Sequence, residues 1–397
     1  MVKQKKRIGI DARFYGPLGK GLGRYTQEIV DNIINIDVDN DYVIFLSPDN
    51  FDEFLIAPNN LSRVKKLKVN IRWYTLKEQL LFPFYLKKER LDLIHFPHFN
   101  VPIFIFNKFI VTVHDLILTK FPTVRATTLS PVIYKLKNLA YRLVIWLALK
   151  RSQKIITVSE FTKNDIIDQF HVSPSKIVVT YEGVANLAKG HDTLFVQKLD
   201  EEGTLERYKI KDNFLLYIGN AYPHKNLEGL VRVFFQVLKK CPHLRLVLVG
   251  KSDYFYERVK TYARSLNLYQ ENQAESPIIF PGYVPDTELE VLFKRALFYV
   301  FPSLYEGFGL PPLEAMAKGC PVLSSNKSSM PEILGEAASY FNPESDTQME
   351  AAIEAMLSSA DLREGLVHKG YEQAKKYNWW ECAYATYKIY QLVLYGD

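Results

Sequence analysis

One feature limits the folds open to this chain more than any other. Short apolar runs alternate with helix-patterned segments twice over, with a polar break between the two series. The first series offers strand candidates at "RIGID" (7–11), "YVIFLS" (42–47), "LDLIHF" (91–96), "FIVTVHD" (109–115), "KIITVS" (154–159) and "IVVTY" (177–181). Helical patterns lie between them at about 22–36, 76–90, 128–150 and 160–170. Parallel strands need crossover connections, and helices that supply those crossovers cover both faces of the sheet. The pattern therefore predicts an α/β, doubly wound parallel sheet.

The alternation fails between about 185 and 212, where the sequence is polar and weakly periodic. It restarts at "NFLLYIG" (213–219) and continues through "HLRLVLVG" (243–250), "PIIFPG" (277–282), "LFYVFPS" (297–303), "CPVLSS" (320–325) and "ASYFN" (338–342). Helices are predicted near 226–240, 253–266, 286–296, 311–318, 347–358 and 361–377. At 397 residues the chain is long for one core. The expected organisation is an N-terminal Rossmann-like domain over 1–188, a linker over 189–212 with room for one short helix, and a second Rossmann-like domain over 213–378. The aromatic stretch 379–397 reads as a helix that can pack back across the boundary. In open α/β sheets ligands bind outside the carboxyl ends of the strands, so function is expected on the loops that follow strands, in a cleft between the domains.

Composition narrows the classes. The chain is 48% hydrophobic and 24% charged, the balance of a soluble globular protein. The net charge of +6 is mild: it suits a phosphate-bearing ligand or an anionic membrane surface, and no nucleic-acid motif accompanies it. Cys241, Cys320 and Cys382 are widely spaced, which fits a reduced, cytoplasmic protein. The basic start runs straight into a strand-like segment containing Asp11 and Arg13, unlike a secretory signal, and no stretch reaches the ~20 apolar residues of a membrane span. The Asp-x-Asp run "DVDN" (37–40) follows a helix and reads as a loop, so no metal site is expected.

Four constellations carry chemistry. In "DARFYGPLGKGLGRYTQEIV", Gly16, Gly19, Gly21 and Gly23 precede a helix expected to begin near Arg24. Such a loop lets backbone approach an anion at a helix start, or is simply a flexible turn. Its spacing is not the G-x-G-x-x-G of a dinucleotide-binding enzyme, which argues against a nicotinamide-dependent oxidoreductase. In "VTVHDLI", His114 and Asp115 stand at a strand's carboxyl end, where a neutral imidazole can donate to a substrate oxygen; the bland alternative is a loop cap with Asp115 starting a turn. In "YIGNAYPHKNLEGL", Lys225 lies beside a helix start with Asn226 as candidate N-cap, suited to a diphosphate, against the alternative of a solvated lysine. In "SLYEGFGLPPLEAMAKGCPVLSS", Pro311 and Pro312 fit a helix's first turn and Gly319 its C-terminal cap. The "GFGL" backbone then lies ahead of that helix with Glu306 before it and Glu314 within it. The helix dipole accounts for Glu314 but not for Glu306.

These blocks resemble the family-4 retaining glycosyltransferases of the GT-B fold. "EGFGLPPLEAMAKGCPVLSSNKSSMPEILGEAASYFNP" is similar to their E-x7-E signature region, and "GKGLGRYTQEI", "VTVHDL", "ITVSEFTKNDI", "IVVTYEGV", "YIGNAYPHKNLEGL" and "FPGYVPDTELEVLF" follow in the family's order over essentially the whole chain. The resemblance implies that Glu306 faces the donor sugar beside the anomeric centre. It implies that Gly307, Phe308, Gly309 and Leu310 offer backbone N–H groups to sugar and phosphate, and that Glu314 binds the ribose hydroxyls. Lys225 would neutralise the departing diphosphate, His114 would touch the transferred sugar, and the loop carrying Gly19 and Gly21 would close over phosphate and acceptor. Tyr283 and Val284 would line the base pocket. Tyr15, Arg24 and Asp115 would sit on the acceptor side. Many relatives carry a second basic residue before the lysine; here Asn220 and His224 occupy that loop.

The implied reaction is a metal-independent, retaining hexosyl transfer, with no cofactor because the nucleotide-sugar is a substrate. The blocks look most like bacterial mannosyltransferases of surface-polysaccharide assembly, which makes GDP-mannose the first donor and UDP-glucose the second. A non-catalytic sugar-nucleotide-binding protein of the same fold is the alternative. The implied acceptor is a glycan or lipid-linked glycan. Mixed apolar and basic segments at 76–91 and 134–151 suit peripheral contact with the inner face of an anionic membrane, although an ordinary amphipathic helix facing the core explains the first.

Overall fold

The computed structural model describes residues 4–121, 131–184, 200–211, 213–271 and 276–396. The chain forms two compact units, one of residues up to Gly183 together with Asn378 onward, the other spanning Val184–Tyr377.

The first unit runs β1 (Arg7–Asp11), α1 (Lys20–Ile36), β2 (Asp41–Leu46), β3 (Val64–Lys68), α2 (Leu76–Lys88), β4 (Leu93–Phe96), β5 (Phe109–Val113), α3 (Ile117–Lys120), α4 (Pro131–Arg151), β6 (Ile155–Thr157), α5 (Glu160–Phe170) and β7 (Ile177–Val179). All seven strands are parallel, in the order β3-β2-β1-β4-β5-β6-β7. The order reverses at the β1–β4 pair, which marks where the crevice of such a sheet opens. The central strands are buried on both faces, and Phe45, Phe82, Leu86, Ile94, Val111 and Ile145 are among the side chains that fill one of those faces. β3 departs from expectation. Its sequence, "VKKLK", carries three lysines and reads as surface, yet an edge strand tolerates them and lysines there discourage pairing with other chains.

The second unit runs α6 (Glu201–Arg207), β8 (Phe214–Ile218), α7 (Leu227–Leu238), β9 (Arg245–Val249), α8 (Tyr254–Ser265), β10 (Ile278–Gly282), α9 (Asp286–Arg295), β11 (Phe298–Phe301), α10 (Leu310–Ala317), β12 (Val322–Ser325), α11 (Met330–Leu334), β13 (Ala338–Phe341), α12 (Asp346–Ser358) and α13 (Ala360–Lys375). Its six parallel strands are ordered β10-β9-β8-β11-β12-β13, so here the reversal falls between β8 and β11. Half of the expected linker, 189–199 and 212, lies outside the described residues. Its described end forms α6, whose Arg207, Glu201 and Glu202 pair with Glu288, Lys294 and Arg295 of α9, so this part belongs to the second unit.

The chain re-enters the first unit as α14 (Trp379–Tyr395), capped by Asn378, and this helix packs on α1. Its Tyr390 hydroxyl lies 2.7 Å from His95 Nδ1 and its Tyr395 hydroxyl donates to Asn40 Oδ1 at 2.8 Å. Gly183 must be glycine: a Cβ there would fall 2.2 Å from the Trp379 nitrogen. No helix among the described residues is long and apolar enough to cross a membrane.

The glycine segment after β1 differs from the expected loop. Helix α1 begins at Lys20, so Gly21, Gly23 and Arg24 are helical and Gly19 is the N-cap residue. The reason is packing. A Cβ on Gly23 would stand 2.1 Å from the Gly16 carbonyl oxygen, and one on Gly19 2.2 Å from that of Phe14, so these glycines let the 14–16 turn lie directly on the helix. Gly21 has open space. Gly23→Ala is therefore expected to destabilise the fold by about 1–3 kcal/mol through a backbone clash, whereas Gly21→Ala is neutral or stabilising by about 0.5–1 kcal/mol. Thermal melts of the two variants check this; equal melting temperatures would remove the packing explanation.

Candidate functional site

In the second unit, two loops meet at the β8–β11 reversal. After β8 the chain turns at Gly219, whose φ of 156° precedes Asn220, and Asn220 Oδ1 accepts from the Tyr222 N–H in a local turn. A short 3-10 turn, Pro223–Lys225, follows. Asn226 then takes a left-handed conformation with φ 57°. It does not cap α7 with its side chain as expected; its amide donates instead to the Pro343 carbonyl. The loop after β11 is stitched to this turn, because the Leu304 N–H donates to the His224 carbonyl at 2.7 Å and Ser303 Oγ lies 3.1 Å from the same oxygen.

That stitching brings Lys225 and Glu306 together. Lys225 Nζ is 2.5 Å from Glu306 Oε1, and Ser303 Oγ donates to the same oxygen. The lysine also lies over the Phe301 ring, 5.2 Å from its centroid. Both residues are buried, Lys225 at 9% exposure and Glu306 at 7%, so the solvated-lysine alternative does not hold. Taking two charges out of water is costly unless they are paired, which explains the tight geometry. His224 is pushed down to about 4 by burial, with Lys225 opposing and Glu306 favouring its charge, so Lys225 is the cationic side chain of this loop.

The "GFGL" turn is pinned from the two serines just ahead of α11. Glu306 N–H donates to Ser328 Oγ, and Ser329 Oγ donates to the carbonyls of Glu306 and Phe308. Gly309 takes φ 95° against Met330, and α10 starts at Leu310 with Pro311 and Pro312 in its first turn. Phe308 packs edge-on against Tyr377. Gly307 is buried within this turn and Glu314 half-buried on α10. Beyond β10, Tyr283 is 73% exposed and Val284 is buried. Ser303, Ser328 and Ser329 were not singled out from sequence; "SSM" ahead of a proline is ordinary loop composition, and only the fold shows what these serines hold.

In the first unit, the β1–β4 reversal carries a buried polar cluster. Arg13 reaches Asp11 with both Nε and Nη2 at 2.7 Å, donates to Glu78 Oε1 at 2.6 Å and to the Ile71 carbonyl at 3.2 Å, and stands over the Phe82 ring. Asn100 and the Tyr74 N–H both donate to Glu78 Oε2 at 2.8 Å. This holds Tyr74 in a left-handed conformation, φ 55°, that bulky residues rarely adopt. Around it lie aromatic rings. Phe14 stacks on Trp73 with centroids 4.1 Å apart, and His98 adjoins Phe14, Tyr74 and Phe99. The sequence showed Asp11 and Arg13 two residues apart at a strand end. It could not show Glu78 closing on Arg13 from 65 residues away, or Asn100 bonding that glutamate from a further 22.

His114 lies just past β5 and corrects an expectation. Its Nδ1 is 2.9 Å from Glu182 Oε1 and its Nε2 is 3.0 Å from the Pro97 carbonyl oxygen. Both neighbours are acceptors, so both ring nitrogens are placed to donate, an arrangement that favours the imidazolium over a neutral imidazole. Burial opposes that charge, but the hydrogen bond and charge of Glu182 outweigh it, with the Pro97 carbonyl adding, and the titration is held above the ordinary histidine range. His95 and His98 are pushed down to about 3 by burial and then by the His114 charge. The raised His114 contributes stability that is complete below about pH 6.5 and is lost as pH rises through its folded value. The melting-temperature gap between wild type and His114→Gln should therefore be widest near pH 6 and close toward alkaline pH; a gap constant across that range would remove the imidazolium.

The remaining acceptor-side candidates are occupied locally. The Tyr15 hydroxyl donates to Asp31 of α1 at 2.9 Å, and Asp115 Oδ1 accepts from the Ile117 N–H, which starts α3. Arg24 is half-buried on α1. No group of three or more His, Cys, Asp or Glu side chains is placed to hold a metal ion among the described residues.

The comparisons agree with this architecture. Residues 19–185 match the model of Glycosyltransferase Family 4, and residues 204–373 that of Glycosyl transferases group 1. The chain is 28% identical over 385 residues, 94% of its length and 96% of the relative's, to O-antigen chain mannosyltransferase B of Escherichia coli. It is 26% identical over 350 residues, 85% of its length and 87% of the relative's, to O-antigen chain mannosyltransferase RfbU of Salmonella typhimurium. Among solved structures, sucrose-phosphate synthase from Thermosynechococcus elongatus superposes with a TM-score of 0.75 at 19% identity, over 99% of this chain and 100% of that one, a likeness of fold. Two all-parallel units, each with its polar cluster at the strand reversal, and two family models that between them span most of the sequence lead to one assignment: the chain belongs to the GT-B glycosyltransferases that join a Family 4 domain to a group 1 domain.

Proposed function

We propose that this glycosyltransferase moves mannose from GDP-mannose onto a glycan or lipid-linked glycan in surface-polysaccharide assembly, with retention at the anomeric carbon and without a metal. The observation that carries the reading is the buried Lys225–Glu306 pair at the β8–β11 reversal, set beside the pinned "GFGL" turn. The choice of mannose follows the relatives in Escherichia coli and Salmonella typhimurium, both named as mannosyltransferases.

In this reading Lys225 neutralises the negative charge that grows on the diphosphate as the glycosidic bond breaks. A fixed cation at that point does what a bound metal does in other phosphate chemistry. Glu306 is held by Ser303 and Lys225 and faces the sugar, the backbone of Gly307 to Leu310 takes sugar and phosphate oxygens, and Glu314 accepts from the ribose hydroxyls. The diphosphate leaves from the face that the acceptor enters and takes the acceptor's proton. The new glycosidic bond forms on that same face, with no carboxylate nucleophile of the kind retaining glycosidases use. The strand ends of the first unit, with the Phe14–Trp73 stack and His98, take the acceptor, because aromatic faces suit the apolar faces of sugar rings.

A donor panel measuring released GDP or UDP tests this. Turnover confined to GDP-mannose is the expected result. Turnover with UDP-glucose instead would reassign the donor, and no turnover with any nucleotide-sugar would leave a binding protein of the same fold. An NMR coupling constant on the product reads retention directly.

A further inference from the structure

Helix α2 buries Phe82 and Leu86 in the core and turns Glu78 inward to Arg13, so its inner face is fully used. Its outer face is nevertheless apolar. Leu76 is 82% exposed, Leu80 57% and Phe84 68%. An ordinary amphipathic helix would show polar residues there.

The segment after β4 extends the same surface. Ile105 is buried, while Phe104 and Phe106 on either side project outward at 52% and 93% exposure. They border a cavity of about 610 Å³ that α2 closes with Leu80, Pro83 and Phe84. The projecting loop is fastened down. The Ile103 N–H donates to Gln79 of α2 at 2.8 Å, and the Arg151 guanidinium at the end of α4 donates to the carbonyls of Ile103 and Ile105. α4 itself exposes Leu143 and Trp146.

Charge selects among possible partners. Lys77, Lys87 and Lys88 on α2 and Lys108 beside the loop are all exposed. The only acid between Leu76 and Lys88 is the buried Glu78, and there is none from Phe99 to Val113 or from Pro131 to Arg151. A surface with several large exposed hydrophobes, ringed by lysines and carrying one exposed acid at its edge, Asp92, which Lys6 faces at 3.7 Å, complements a partner that is apolar inside and anionic outside.

We infer that the α2 face and the 103–107 loop form a docking surface for an anionic lipid bilayer, with Phe104 and Phe106 entering the acyl boundary and the lysines lying among the headgroups. The inference rests on the lipid-linked acceptor only for its purpose, since docking needs no turnover. Its test is flotation of the full-length chain with vesicles of phosphatidylglycerol and phosphatidylcholine in equal parts, against phosphatidylcholine alone. Wild type is expected to float with the mixed vesicles only, and less at high salt. The double variant Phe104→Ser/Phe106→Ser should weaken binding by about tenfold or more, and Lys87→Glu/Lys88→Glu should abolish the preference for anionic lipid. These side chains are exposed, and circular dichroism with thermal melts verifies that both variants fold. No flotation of wild type, or flotation unchanged by both variants, overturns the proposal. So does a wild-type dimer in sedimentation analysis that Phe104→Ser/Phe106→Ser converts to monomer, which would give the face to a second copy. Donor turnover is measured separately with soluble acceptor, so loss of docking and loss of the transfer reading are distinguishable.

Discussion

Replacing Lys225 with methionine is expected to lower kcat by about 10²–10³-fold, the usual consequence of removing one fixed charge that stabilises a transition state. The same substitution leaves Glu306 buried without its partner, which is expected to cost about 3 kcal/mol of stability. Loss of activity and loss of stability are separable. In the double variant Lys225→Met/Glu306→Leu both charges are gone and the volume is largely kept, so stability should recover toward wild type, as replaced buried ion pairs commonly do. Activity should stay at the level of the single variant or below. Initial rates with saturating donor, together with calorimetric melts, read both quantities. Activity that returns with stability in the double variant would show the pair to be structural only.

Arg13→Met is expected to give the largest loss of stability in the first unit. Arg13 is 1% exposed and bridges two carboxylates, Asp11 and Glu78, that come from different elements. Removing the guanidinium leaves two buried acids facing each other, at a cost of about 3–5 kcal/mol. For a unit of this size that is a fall in melting temperature of roughly 10 °C. Arg13→Lys should recover little of it, because a single ammonium cannot reproduce the paired Nε and Nη2 bonds to Asp11. A fall below about 2 °C in either variant would mean that the cluster relaxes or admits water.

How much of this was legible in the sequence depends on the range of the forces involved. The parallel αβ alternation is a local signal, and twelve of the strand candidates read from it lie on the observed strands β1, β2 and β4–β13. β3 escaped because an edge strand follows tertiary shielding rather than its own apolar content. The glycine segment departs from its loop-like spacing for a related reason. Its spacing looks loop-like by propensity, but Gly19 and Gly23 are small so that the 14–16 turn can press against α1. The Lys225 and Glu306 loops were visible because each lies at a strand end beside a helix start. What the sequence could not show is pairing across long separations: Glu182 against His114, Glu78 against Arg13, and the serines that brace the "GFGL" turn. Each of these is fixed by the fold and has no short-range signature.

Because α14 belongs to the first unit, the second is in effect an insertion within it. On a ribosome the residues up to Gly183 emerge long before Asn378, with the 194 residues of Val184–Tyr377 (377 − 184 + 1) between them. At typical elongation rates of about 5–20 residues per second, the first unit waits roughly 10–40 s for its last helix. During that wait the face of α1 that receives α14 is uncovered and His95 lacks its Tyr390 partner. The second unit can finish folding first. A released chain that ends at Tyr377 should therefore present a protease-resistant C-terminal half and a protease-sensitive N-terminal half, an order of maturation opposite to the order of synthesis.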